Sequence, residues 1–104
     1  MEDKLVKVKQ LVVVFNEYPL YDYKTRIKDV ELYTNEFHYF NEDDIYINND
    51  GGRYICELFF PVETKENEII EFEKNVVRKK MIEYFQNKID KYKNFIEKIM
   101  KTNE

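Results

Sequence analysis

Few residues in this chain could form the nucleophile–histidine pair of cysteine or serine catalysis. Cys56 and His38 are its single cysteine and single histidine, and the chain contains no serine. Nucleophilic catalysis needs a nucleophile beside a base and a third group that orients the base. Cys56 shares one strand face with Tyr54 and Leu58, which predicts a buried structural thiol. We therefore predict a protein that is not an enzyme and has no catalytic residues.

Metal and cofactor sites have equally little support. One cysteine and one histidine cannot supply the four ligands of a structural zinc site. The two glycines, Gly51 and Gly52, are adjacent, so they cannot form a phosphate-binding glycine-rich loop. The oxygen-rich run at 42–50 departs from the spacing of an EF-hand loop. We expect no cofactor and no dedicated metal site.

Acidic residues are concentrated in one part of the chain. The formal net charge is -4, and residues 29–52 contain seven Asp or Glu but no Lys or Arg. Such a run attracts basic protein surfaces and repels nucleic acid. We predict a partner-binding surface that consists of Glu36, Tyr39, Glu42, Asp43, Asp44, Tyr46 and Asp50. The alternative is that these acids only keep the protein soluble.

Tyrosine is the most unusual feature of the composition. The chain has nine tyrosines, and seven of them precede residue 61. Tyrosine buries apolar area while keeping a polar tip, which suits interfaces. Because acids rather than bases lie among them, contact with a protein is favoured over stacking on nucleic-acid bases. The alternative is that the tyrosines fill the strand faces of a small barrel.

The residues before Pro61 have the composition of strands. Residues 5–15 are rich in β-branched types and predict a long first strand. Residues 21–34 alternate but change phase, which predicts a β-bulge near Lys28 and Asp29. A short strand is expected at 37–40. Residues 44–48 are expected to pair with 53–60 as a hairpin across the two glycines.

The residues after Pro61 predict a helix over 64–101. Thr64 is the expected N-cap, acids come first and bases later, and this order suits the helix dipole. Apolar residues then recur at alternating spacings of three and four, which is typical of a helix that pairs with another helix. This seam consists of Ile82, Phe85, Ile89, Tyr92, Ile96 and Ile99. It predicts a homodimer, unless the helix breaks near 78–80 and folds back.

Together these elements predict a single domain over 1–104 of the α+β class. It would be a small curved antiparallel sheet or SH3-like barrel followed by one long C-terminal amphipathic helix. No run of residues is long and apolar enough to cross a bilayer, and the first residues lack the apolar region of a signal peptide. We therefore expect a cytoplasmic protein that does not bind membranes.

The general arrangement of the chain consists of the run KVKQLVVVF, a β-rich middle and the ending KYKNFIEKIMK. In this arrangement the chain resembles small proteins of phages and mobile elements. These include inhibitors of bacterial immunity such as anti-CRISPRs. The resemblance implies an accessory protein that binds a basic partner protein and inhibits a bacterial defence effector or nuclease stoichiometrically. The alternative is a small-ligand or nucleic-acid-binding β-barrel module that uses the barrel mouth or the basic run at 74–80.

Overall fold

The computed structural model describes residues 3–17, 22–41 and 45–102. Four strands form one antiparallel sheet, and a long helix follows them. The strands are β1 (Leu5–Asn16), β2 (Asp22–Tyr33), β3 (Asn48–Asp50) and β4 (Arg53–Pro61), in the spatial order β2-β1-β4-β3. The predicted α+β class is confirmed, with the curved sheet rather than the barrel as its β part. In the described part of the chain, β2 and β3 are the open edges of this sheet.

The central strand β1 pairs with both long neighbours. It pairs with β2 from Leu5 opposite Tyr33 to Asn16 opposite Asp22, without an interruption. The predicted β-bulge near Lys28 and Asp29 is therefore wrong. The apolar residues of β2 change from one face of the sheet to the other for another reason. Each face of the sheet is covered by other residues along a different part of the strand.

The hairpin between β3 and β4 is confirmed, although β3 is shorter and begins later than predicted. Gly51 and Gly52 have φ values of 59° and 90°, which fit the two central residues of a type I′ turn. The strand expected at 37–40 is reduced to a single bridge between Tyr39 and Phe59. There the Phe40 amide donates a hydrogen bond of 2.7 Å to the Phe59 carbonyl.

The C-terminal helix is continuous across 78–80, so the alternative of a break there is wrong. It consists of α1 (Glu66–Phe72), a π-helical segment (Glu73–Val77) and α2 (Arg78–Thr102). Lys65 is the N-cap instead of Thr64, and its side chain makes no capping hydrogen bond. At 1.5 Å per residue the whole helix is about 55 Å long, close to the 63 Å longest dimension of the molecule.

The core lies between the helix and one face of the sheet, which we call the helix face. Buried side chains from β1 and β4 meet three buried side chains of the helix there, and water is excluded from most of this apolar area. The buried members are Leu11, Val13, Tyr54, Cys56, Leu58, Phe60, Ile69, Val77 and Met81. The opposite face, which we call the open face, carries no helix, although Val8 is fully buried on it and Phe37 packs there against Phe59.

Within the described residues, no helix is both long enough and apolar enough to cross a membrane.

Candidate functional site

The candidate nucleophile lies in the core. Cys56 is a free, buried cysteine, and burial raises the pKa of its thiol to about 11. The thiol is therefore protonated at neutral pH and has little nucleophilic character. His38 is exposed on the segment between β2 and β3. Over residues 3–17, 22–41 and 45–102, no group of three or more His, Cys, Asp or Glu side chains is placed to hold a metal ion.

The predicted acidic and tyrosine-rich surface is partly described. Tyr39 is 50% exposed and Tyr46 is 75% exposed, and the side chains of Glu36 and Asp50 also face solvent. The acids Glu42, Asp43 and Asp44 lie outside the described residues. Of the described members, Glu36 and Tyr39 line one groove, Tyr46 lines another, and Asp50 is the last residue of β3.

Two of these residues flank a glutamate that the sequence analysis did not select. Tyr39 pairs with Phe59, and Tyr46 lines a groove of about 470 Å³ with Ile55 and Glu57. Ile55, Glu57 and Phe59 alternate along β4 on the open face. Tyr39 is therefore level with Phe59, and Tyr46 lies beside Ile55 and Glu57.

We call Tyr39, Glu57 and Tyr46 the tyrosine edge. Glu57 also lines a second groove, of about 420 Å³, together with Tyr39 and His38. It therefore borders both grooves, with one exposed phenol ring at each. The alternation of polar and apolar residues in RYICELFFP would have indicated that Glu57 points away from the core.

Ring packing holds Tyr39 in place, and a hydrogen bond holds Glu57. The Tyr39 ring meets the Phe37 ring edge to face at 5.1 Å between centroids. Phe37 is buried and lies 5.5 Å from the Phe59 ring. The Glu57 carboxylate accepts a hydrogen bond of 2.8 Å from Gln10 Nε2 on the neighbouring strand. A surface that is already ordered loses less conformational entropy when it binds a partner.

The other two described acids of the predicted surface have local structural contacts. Glu36 Oε1 accepts a hydrogen bond of 2.8 Å from the Tyr33 amide, which closes the turn after β2. Asp50 lies beside the hairpin turn, where it is paired across the strands with Arg53. Both remain exposed, and Glu36 also lines the groove of about 420 Å³ that Tyr39 and Glu57 border.

The open face also carries a basic region that the sequence analysis did not identify. Lys24 and Arg26 line a groove of about 410 Å³ whose floor includes Val12 and Val14, with Arg53 on its other side. Lys28 follows on the same face of β2. The signal was present in the sequence as Lys24, Arg26 and Lys28 at alternate positions of one strand, which places them on one face.

The predicted helix seam divides into two parts. Phe85 packs against the sheet, with its ring 5.3 Å from Phe15 and 4.7 Å from Tyr54. The remaining seam residues are exposed apolar side chains on α2, and none of the described residues from Ile89 onward is buried. They are Ile82, Ile89, Tyr92, Ile96 and Ile99.

A groove lies where α2 leaves the sheet beside the hairpin turn. It has a volume of about 530 Å³, and we call it the helix–hairpin groove. At its wall, Lys88 Nζ donates a hydrogen bond of 3.2 Å to the Tyr54 hydroxyl, which donates one of 3.0 Å to Glu17 Oε2. The hydrogen bond to Tyr54 raises the pKa of Lys88. The amine is therefore a fixed cation rather than a nucleophile.

Comparison with protein-family models, with curated proteins and with solved structures found no match.

Proposed function

We propose that this chain is a non-catalytic binding protein whose tyrosine edge recognises a basic surface on a partner protein. The observation that carries the proposal is the position of Glu57, which borders two grooves with an exposed tyrosine at each. A carboxylate between two phenol rings suits an arginine side chain. The guanidinium pairs with the carboxylate through two hydrogen bonds, and its flat face stacks on an aromatic ring.

The remaining features support a protein partner over a small ligand. Both grooves are shallow and lie along a strand, so they suit an extended contact surface better than an enclosed molecule. Tyrosine and arginine are enriched among the residues that contribute most to protein interfaces. Glu36, which lines the same groove as Tyr39 and Glu57, adds to the negative field around the edge and raises the rate of association with a basic partner.

A consequence for biological activity follows from this chemistry. Proteins that act on nucleic acid carry arginine-rich surfaces for phosphate contacts. A protein that covers such a surface blocks it in a one-to-one complex without any turnover. This is the activity expected of an inhibitor of a nuclease or of another bacterial defence effector.

The proposal is tested with a charge reversal at the tyrosine edge. The probe is an octapeptide in which arginine and glycine alternate, titrated by fluorescence anisotropy at low salt. We expect Glu57→Lys or Tyr46→Ala to weaken binding at least tenfold. The matched control is Glu83→Lys on the exposed side of α2, which makes the same charge change and should alter the affinity less than twofold. Equal losses from both glutamate variants would reject the tyrosine edge.

A second candidate function rests on the basic region of the open face. Lys24, Arg26 and Arg53 around an apolar floor suit an anionic ligand such as single-stranded nucleic acid. The basic run at 74–80 is less favourable, because Arg78 is already held by Glu73 at 2.8 Å. Binding of a labelled single-stranded oligonucleotide that weakens with salt and is lost in Lys24→Glu/Arg26→Glu would support this candidate. Lack of a salt-dependent anisotropy change would dismiss it.

A further inference from the structure

The C-terminal half of α2 extends past the sheet with a continuous row of apolar side chains. We call this row the apolar stripe, and every member is between 48% and 64% exposed. Its members are Ile89, Tyr92, Phe95, Ile96, Ile99 and Met100. Contiguous exposed apolar surface of this kind marks an interaction site in water-soluble domains. The tyrosine edge does not account for it, because the edge lies on the open face of the sheet.

We propose that the apolar stripe is the interface of an antiparallel homodimer in which the end of each helix lies in the helix–hairpin groove of the other copy. The inference is independent of the proposed function. Either can fail without the other, because they concern different faces of the molecule.

The sheet restricts the direction in which a second helix can lie. Phe85 belongs to the same row of the helix as Ile89 and Tyr92, but it packs on Phe15 and Tyr54 of its own sheet. A parallel second helix would need to continue along this row into space that the sheet fills. An antiparallel helix avoids the conflict, because only its end reaches the level of Phe85.

The stripe is complementary to itself in this arrangement. An antiparallel pair centred on Asn94 places Ile89 level with Ile99 of the second copy, and Tyr92 level with its Ile96. Each layer is then apolar on both sides, which is the requirement for knobs-into-holes packing. The Phe95 rings of the two copies lie near the two-fold axis on one flank of the seam.

The charged side chains of this segment do not decide the direction. Asp90, Lys91, Glu97 and Lys98 lie on the side of α2 away from the seam, so they face water in either arrangement. Lys93 of the two copies lies on the flank of the seam opposite Phe95, where the flexible stems allow both ammonium groups to extend into water.

The helix–hairpin groove receives the end of the second helix. The lining of this groove includes Ile89 and Tyr92 of the stripe, together with Tyr54, Phe85 and Lys88. The centred pair places Ile99 of the second copy level with Ile89, and its Ile96 level with Tyr92, so apolar side chains from the end of the second helix meet the apolar part of this lining.

The first test is the oligomeric state of the full chain by sedimentation equilibrium between 1 and 300 µM protein. One helix row per copy is at the small end of stable interfaces, on the order of 1,000 Å², so we expect a dimer with a Kd of about 10 µM. Ile89→Asp and Ile96→Asp should each weaken self-association at least 30-fold. Circular dichroism of each variant checks that the domain remains folded.

Ile82→Asp is the matched control. α2 ends at Thr102, which the proposed pair places level with Gln86, so Ile82 lies outside the overlap although it is 60% exposed. Its replacement should change the dimer Kd less than threefold. A loss equal to that of Ile89→Asp would contradict the proposed overlap.

The direction of the helices is measured with spin labels in a Cys56→Val background. At 1.5 Å per residue, labels at Lys80 should be about 40 Å apart in the dimer and labels at Lys101 about 20 Å apart. Similar short distances at both positions would show a parallel dimer and overturn the proposal. A monomer over the whole concentration range would also overturn it and would leave the stripe for a different protein.

Discussion

Arg78 Nη2 lies 2.8 Å from Glu73 Oε1, although the two residues are five positions apart in one continuous helix. Side chains three or four positions apart are the usual neighbours in an α-helix. The π-helical segment Glu73–Val77 adds a residue to the turn just before Arg78. The wider turn is consistent with a buried Glu73 and an Arg78 that remains within reach of it.

The ion pair makes the first prediction. Arg78→Ala should destabilise the fold by about 2 kcal/mol, because it leaves a buried carboxylate without its charged hydrogen-bond donor. Arg78 is itself half exposed, which limits the loss. The measurement is chemical unfolding at pH 7, followed by circular dichroism.

Glu73→Gln is the control for this pair. The amide keeps the shape of the side chain and an oxygen that accepts from Arg78, but it carries no charge that must be compensated. Glu73→Gln should lower the free energy of unfolding by less than Arg78→Ala does. The opposite order would show that the buried charge does not determine the effect.

The core makes the second prediction. Leu11 is fully buried between the sheet and the helix, so Leu11→Ala should cost about 3 kcal/mol through lost burial and a residual cavity. Val12, its neighbour on the open face, is only half-buried. Val12→Ala should cost about 1 kcal/mol or less. Equal losses in urea unfolding would contradict the assignment of the two faces.

Most of the fold was predictable from periodicity. The β-branched run of β1, the glycine pair of the hairpin and the long stretch without glycine or proline after Pro61 predict their elements by local physics alone. The sequence predicted a bulge near Lys28 that is absent from the described strand, because the positions of the apolar residues in β2 reflect which parts of the sheet are covered. Tertiary packing determines that coverage, and the sequence does not display it.

The candidate site was less predictable than the fold. The exposed tyrosines Tyr39 and Tyr46 stand out in the composition, but Glu57 does not, because it is a single acid in the largely apolar strand β4. The basic region at Lys24 and Arg26 was also missed. Net charge describes the whole chain, whereas a binding surface depends on which alternate residues of a strand share a face.

The third prediction concerns the hairpin turn. Gly52 has a φ of 90°, so Gly52→Ala should destabilise the domain by about 1–2 kcal/mol through backbone strain. Gly51 has a φ of 59°, which asparagine also adopts. Gly51→Asn should therefore be nearly neutral in thermal unfolding. A hairpin that tolerates Gly52→Ala as well would exclude the type I′ turn.

The fourth prediction concerns Cys56. Burial raises the pKa of its thiol from an ordinary value of 9.0 to about 11. Because the folded pKa is the higher one, the stabilising contribution is complete below pH 9 and is lost as the pH rises towards 11. The unfolding free energy of the natural chain should fall in this window more steeply than that of Cys56→Val.

The reactivity of the same thiol provides an independent check. Alkylation by iodoacetamide at pH 8 should be slow in the folded protein and fast in 6 M guanidinium chloride. Mass spectrometry of the modified protein measures both rates. Rapid alkylation without denaturant would show that Cys56 is accessible and would contradict its place in the core.

The central claim is that the tyrosine edge recognises a basic protein surface. An NMR titration of the isotope-labelled chain with the arginine–glycine octapeptide tests it most directly. The amide signals of Tyr39, Tyr46 and Glu57 should show the largest shifts, and these shifts should disappear in Glu57→Lys but persist in Glu83→Lys. Shifts spread evenly over the exposed acids of α1 and α2, or confined to the helix, would contradict the claim.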